Sequence, residues 1–151
     1  DYASFIEEES NQKIPEGNFV TPDGKILGRH KGIIHYTIGQ RKGLGLALGH
    51  QAFVLEIRPD TNEVVIGTNE DLMTTRVRAN KLNFMTVEDL EGEMRVFAKI
   101  RYNHKGDWCT VRKTGEDEIE CIFETPQRAV TPGQALVLYD GDYVLGGGTI
   151  L

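Results

Sequence analysis

The stretch MRVFAKIRY, Met94 to Tyr102, decides how the chain is read. Met94, Val96, Ala98, Ile100 and Tyr102 alternate with Arg95, Phe97, Lys99 and Arg101, and a period of two sends the two sets to opposite faces of a β-strand. One face is core-like. The other carries three cations and an aromatic ring, a mixture suited to RNA, where cations hold phosphates and planar groups stack on exposed bases. An ordinary solvated strand face carries such residues too, so spacing alone leaves both readings open.

Outward from this strand the same punctuation recurs. Further strands are expected near 77–85, 108–113, 118–124, 135–139 and 143–150, separated by turn signals at Thr114-Gly115, Thr131-Pro132-Gly133 and Asp140-Gly141-Asp142. The acidic segment from Glu88 to Glu93 reads as a solvated connection. Six short strands predict a small closed barrel. Upstream, Phe19-Val20 and Lys25 to Gly28 flank a Pro22-Asp23-Gly24 turn, and Ala52 to Arg58 and Glu63 to Thr68 form two more strands about Pro59 to Asn62. Between these hairpins, His30 to Gln40 reads as one helical turn entering a glycine-rich loop. Tyr2, Phe5 and Ile6 stand at helical spacing and predict a short first helix. A boundary near Leu72 to Thr75 separates a β-rich domain, 1–74, from the barrel, 75–151. The expected fold class is therefore mainly β, a small β-rich domain followed by an antiparallel six-stranded β-barrel.

At 151 residues, 39% of them hydrophobic, the chain is long enough to bury a core, since a fold of this size hides roughly 70% of the surface its unfolded form exposes. No run approaches the 18 or so apolar residues of a membrane helix, and the N-terminus lacks a secretory layout, so a cytoplasmic protein with no membrane partner is expected. The chain opens on Asp1 without an initiator Met, which suggests a fragment. The formal net charge of −6 argues against a nucleic-acid partner, because phosphate binding wants a basic footprint. Its distribution argues the other way. From Gly24 to Leu55 there is no Asp or Glu, and Lys25, Arg29, Lys31, Arg41 and Lys42 contribute +5; the remainder carries 12 basic against 23 acidic residues. An anion-facing surface is expected there.

Within that window lies YTIGQRKGLGLALG, Tyr36 to Gly49. Gly39, Gly43, Gly45 and Gly49 permit positive φ and close approach to a ligand, while Gln40, Arg41 and Lys42 supply amide, fork and point-charge donors in sequence. The loop suits phosphate or ribose contacts but lacks the Walker spacing and the strand-then-helix setting of a dinucleotide site. A tight connection with solvated charges is the competing reading. His30 and His35 are five apart with no acidic neighbour, which fits structural or RNA-facing histidines better than a metal pair. Cys109 alternates with Val111, and Cys121 with Ile119 and Phe123, so both thiols are expected in the barrel core as inert apolar groups. No catalytic triad, paired carboxylates or metal spacing emerges.

Four ordered blocks, GRHKGIIHYTIGQRKGLG (Gly28 to Gly45), KIRY (Lys99 to Tyr102), PQRAVTPGQALVLYDGD (Pro126 to Asp142) and VLGGGTI (Val144 to Ile150), together resemble the tRNA-specific 2-thiouridylase family over almost the whole chain. The resemblance implies a central domain and a C-terminal β-barrel, taken from a transferase whose N-terminal ATP-pyrophosphatase domain adenylates the C2 oxygen of the wobble uridine. Sulfur then arrives as a cysteine persulfide. It further implies that ATP with Mg is used by that absent domain, with none bound by this fragment, and that both catalytic cysteines lie outside it. The implied partners are the anticodon arm of tRNA and, for the full enzyme, a sulfur-relay donor protein.

Residue by residue, the resemblance assigns tRNA contacts to Arg101, Tyr102 and Gln134, with Gln40, Arg41 and Lys42 as further candidates facing the catalytic cleft. The fragment alone is expected to be inactive. A free-standing translation-factor-like RNA-binding barrel and a purely structural packing domain are the alternatives.

Overall fold

The computed structural model describes residues 15–84, 90 and 92–151. The expected helix over 2–9 lies outside the described residues, as do residues 88, 89 and 91 of the acidic connection over 88–93. Contacts divide the chain into two units, Asp1–Leu72 and Met73–Leu151. Each has its own apolar core.

The first unit holds β1 (Gly17–Val20), β2 (Ile26–His30), β3 (Phe53–Arg58) and β4 (Glu63–Gly67). β1 and β2 form one antiparallel hairpin and β3 and β4 another, joined by a parallel pairing of β1 with β4, so the order is β2-β1-β4-β3. That central pairing brings Phe19 opposite Val64, both fully buried. Two apolar hairpins thereby hide one common face. The glycine-rich loop belongs to the same core. It begins with a 3-10 turn at Ile33–His35, buries Tyr36 and Leu44 against the sheet, and is stitched to β3 by Gly39 N donating to the Val54 carbonyl at 2.7 Å and Val54 N to the Gln40 carbonyl at 2.9 Å.

The second unit holds β5 (Met73–Phe84), β6 (Glu93–Lys99), β7 (Asp107–Gly115), β8 (Glu118–Arg128), β9 (Ala135–Asp140) and β10 (Tyr143–Ile150). They close into an antiparallel barrel in the order β10-β5-β8-β7-β6-β9. The period-two pattern is obeyed: Val96 and Ala98, Cys109 and Val111, Ile119, Cys121 and Phe123, and Leu136 and Leu138 all face the core. Closure demands glycine at 147, where a Cβ would stand 2.0 Å from the Leu136 carbonyl oxygen. β10 can then lie against β9 without splaying.

The structure corrects two local expectations. β6 ends at Lys99, and the chain turns over Arg101 to His104, where His104 N donates to the Arg101 carbonyl at 3.1 Å. Tyr102, expected inward by alternation, is consequently 95% exposed. Secondly, β8 does not stop at Glu124. It continues to Arg128 and pairs Thr74 with Gln127, whereas Arg76 pairs with Ile122. The extra residues form a bulge on the β8 side that takes up Pro126, which cannot donate to a ladder.

Candidate nucleic-acid interface

On the barrel, Lys99, Arg101, Tyr102, Ala135, Val137 and Tyr139 line a depression of about 180 Å³. β6 and β9 are hydrogen-bonded neighbours, with Lys99 opposite Val137 and Phe97 opposite Tyr139. This register carries the Lys99 ammonium over the Tyr139 ring, 5.5 Å from its centroid. Ala135 and Val137 supply apolar lining. Gln134 directly precedes Ala135 and is itself exposed. Its main chain closes the Thr131–Gln134 turn at 3.2 Å and accepts from Ile150 N at 2.9 Å, which fixes its position beside the depression. Arg101 and Tyr102 thus share one surface feature, and Gln134 sits one residue from its lining.

The turn bearing Arg101 and Tyr102 is held from beneath. His104 Nδ1 accepts from Ile100 N at 3.3 Å, and the Gln127 amide also engages its ring. Gln127, almost fully buried, donates to Asp107 Oδ2 at 3.1 Å and to the Thr125 carbonyl at 2.9 Å. Asp107 completes the network by accepting from the Thr125 hydroxyl and from Trp108 N; these bonds, the hydroxyl's first, hold its carboxyl below the usual carboxylate range. Partial burial, followed by the positive charge of Arg101, pushes the His104 pKa down. The imidazole therefore stays neutral near pH 7 and keeps Nδ1 as an acceptor. Arg101 itself donates to the Arg128 carbonyl at 3.3 Å.

The third cation of the outward β6 face behaves differently. Arg95 makes a two-pronged contact with Glu124, 2.6 Å from Nε and 3.0 Å from the second nitrogen, and its guanidinium stacks 4.2 Å from the Trp108 ring centroid. Charge and aromatic face are both already engaged. Neighbouring cations on β5 and β7 are similarly bound: Arg78 to Glu118 at 2.9 Å, and Arg76 and Arg112 together to Glu120. Among the described residues, neither Lys99 nor Arg101 meets a carboxylate within ion-pair distance. The three-cation face predicted from sequence is in effect a two-cation face.

In the first unit, Gly39, Gly43, Gly45 and Gly49 adopt φ of 91°, 77°, 69° and 77°, a region that strains side-chain-bearing residues. The loop lines an open basin of about 710 Å³ that includes Arg41 and His50. Gln40 does not reach outward as a free donor: its Oε1 accepts from Thr37 N at 3.0 Å and its Nε2 donates to the Lys42 carbonyl at 2.9 Å. The amide braces the loop, leaving Arg41 and Lys42 exposed. His30 is a core residue. Gly32 N donates to its Nδ1 at 3.0 Å, so Nε2 carries the proton and donates to the Asn62 carbonyl at 2.7 Å, with Phe19 and Tyr36 edge-on to the ring.

Cys109 and Cys121 are buried in the barrel core. Their mutual hydrogen bond and burial push the Cys121 thiol far above its usual range, so it does not ionise to a nucleophile. Among the described residues no cluster of His, Cys, Asp or Glu is arranged to hold a metal ion, and no helix is long and apolar enough to cross a membrane. Sequence reasoning missed Tyr139 and the His104–Gln127–Asp107 support. Both depend on strand order, which only the assembled barrel reveals.

Two family models match the chain: one described as "Aminomethyltransferase beta-barrel domain" over residues 74–150, the other as "tRNA methyl transferase PRC-barrel domain" over residues 3–68. Among curated relatives, the tRNA-specific 2-thiouridylase MnmA of Lachnoclostridium phytofermentans is 67% identical over 150 residues, covering 99% of this chain and 42% of the relative. The proteins of the same name from Koribacter versatilis and Clostridioides difficile are 50% and 49% identical, again over 99% of this chain and 42% of their own length. The chain therefore spans less than half the length of the relatives it matches.

Proposed function

Because the chain belongs to the tRNA-specific 2-thiouridylase family, we propose that it is the tRNA-holding part of an enzyme that installs sulfur at C2 of the wobble uridine. In this reading the barrel grips the anticodon arm through Arg101, Tyr102 and Gln134. Arg41 and Lys42 of the glycine-rich loop face RNA near the reacting base, and Gln40 sets their position. ATP activation of the C2 oxygen and delivery of persulfide sulfur, loaded by a donor protein, belong to parts of the enzyme beyond these residues. Cys109 and Cys121 contribute no chemistry, so the 151 residues alone neither hydrolyse ATP nor transfer sulfur. The setting is the cytoplasm, where tRNA is modified.

The single observation that carries this reading is the pair of cations, Lys99 and Arg101, that meet no carboxylate among the described residues, beside the exposed ring of Tyr102. Cations left unneutralised in a chain of net charge −6 are placed for an anionic partner, and an aromatic face beside them suits a nucleic acid. The test is a titration of the chain with unmodified tRNA across a salt series. Each phosphate contact contributes roughly 0.7–0.9 to the slope of log K against log salt. A slope of at least about 2 is expected, and binding that ignores salt would overturn the proposal.

A further inference from the structure

We infer that the depression between β6 and β9 seats one unstacked base of the bound RNA, with Tyr139 as its wall and Tyr102 as its stacking partner. The inference rests on the tRNA-holding reading and adds to it a ligand, a place for that ligand and one residue, Tyr139. Its volume of about 180 Å³ lies well below the roughly 300–1,000 Å³ of pockets that enclose drug-sized ligands. A whole nucleotide cofactor is too large, whereas a single planar heterocycle fits. Ala135 and Val137 make part of the lining apolar, which favours a ring over a phosphate.

The polar groups stand at the rim. The Lys99 ammonium lies over the Tyr139 ring, and the Arg101 guanidinium donates to the Arg128 carbonyl at 3.3 Å. Two cations flanking an apolar slot match the two phosphates on either side of an inserted nucleoside. Tyr102, nearly fully exposed at the tip of a turn, has its ring available to close over the base. The contrast with Trp108 supports the choice, because Arg95 already stacks on that ring and is neutralised by Glu124. An RNA base is the occupant rather than a protein side chain because both rim charges are positive and, among the described residues, meet no carboxylate.

The experiment measures binding of the chain to a tRNA anticodon stem-loop RNA in which each loop nucleotide in turn is made abasic. One position is expected to weaken binding roughly 5- to 150-fold, the range of base–aromatic stacking. Tyr102→Ala, at a site too exposed to unfold the barrel, is expected to weaken binding of intact RNA similarly and to abolish the effect of the abasic position. Lys99→Met lowers the salt slope by roughly 0.7. If RNA binds but no abasic position matters, or if base removal and Tyr102→Ala act independently, the base seat is wrong while the tRNA-holding reading stands. Failure of the unaltered chain to bind any RNA overturns both.

Discussion

Two patches of the same barrel, one with four cations and one with two, present opposite chemistry. Across β5, β8 and β7, Arg76, Arg78, Arg112 and, from β6, Arg95 are each bound to a glutamate of β8. At the far end of β6, Lys99 and Arg101 border an apolar slot and, among the described residues, meet no carboxylate. The first patch is a lattice of ion pairs that covers Glu120 and links side chains of four strands, β5, β6, β7 and β8. These arginines hold their partners' carboxyls below the usual range; for Glu120 the hydrogen bond from Arg76 comes first, then that from Arg112. The second patch leaves its charge for a ligand. Counting basic residues treats the two alike, yet a cation already paired gives phosphate little, because its partner's charge must first be displaced.

The comparison can be broken by freeing a cation on the neutralised side. Glu124→Gln removes the charge that engages Arg95. Affinity for tRNA is expected to rise a few-fold, with the salt slope steeper by roughly 0.7–0.9. An unchanged slope in the same titration means that pairing is not what keeps this patch away from RNA. A smaller effect sharpens the other side. His104 accepts from Ile100 N beneath the Arg101 turn, and burial with the nearby Arg101 charge lowers its pKa.

A histidine whose folded pKa is lowered leaves the unfolded chain holding more protons as pH falls below about 6.5. The stability this group contributes is present above that value and is lost on acidification through the lowered folded pKa. Thermal melts between pH 7.5 and 5 are therefore expected to show a falling midpoint that is blunted in His104→Gln. Equal pH dependence in both proteins contradicts the role given to His104.

The barrel was legible because its strands alternate cleanly. Val96, Ala98, Cys109, Val111, Ile119, Cys121 and Leu138 all face inward, as period two demands. Tyr102 broke the pattern because β6 ends three residues earlier, and the turn that replaces it depends on His104 accepting from the Ile100 main chain. β8 looked shorter than it is because Pro126 signals an end, whereas a bulge absorbs it. In the first unit the two hairpins were visible, but the parallel pairing of β1 with β4 joins segments separated by the whole glycine-rich loop.

The same limit applies to charge. Arg95 and Glu124 are 29 residues apart and meet only because β6, β7 and β8 lie side by side. Strand order also places Tyr139 beside Lys99. Residue identity shows which groups are present, and topology decides which of them remain available.

The central claim is that tRNA is held by the unpaired cations and not by the paired ones. Its most direct test is a side-by-side measurement of tRNA affinity for Arg101→Ala and Arg112→Ala. Loss of a charge-assisted contact by Arg101→Ala is expected to cost about 1.5–3 kcal/mol, or roughly 10- to 150-fold in Kd, whereas Arg112→Ala lowers the melting midpoint and leaves affinity within about two-fold. Equal losses for the two variants, or a greater loss for Arg112→Ala, would contradict the account.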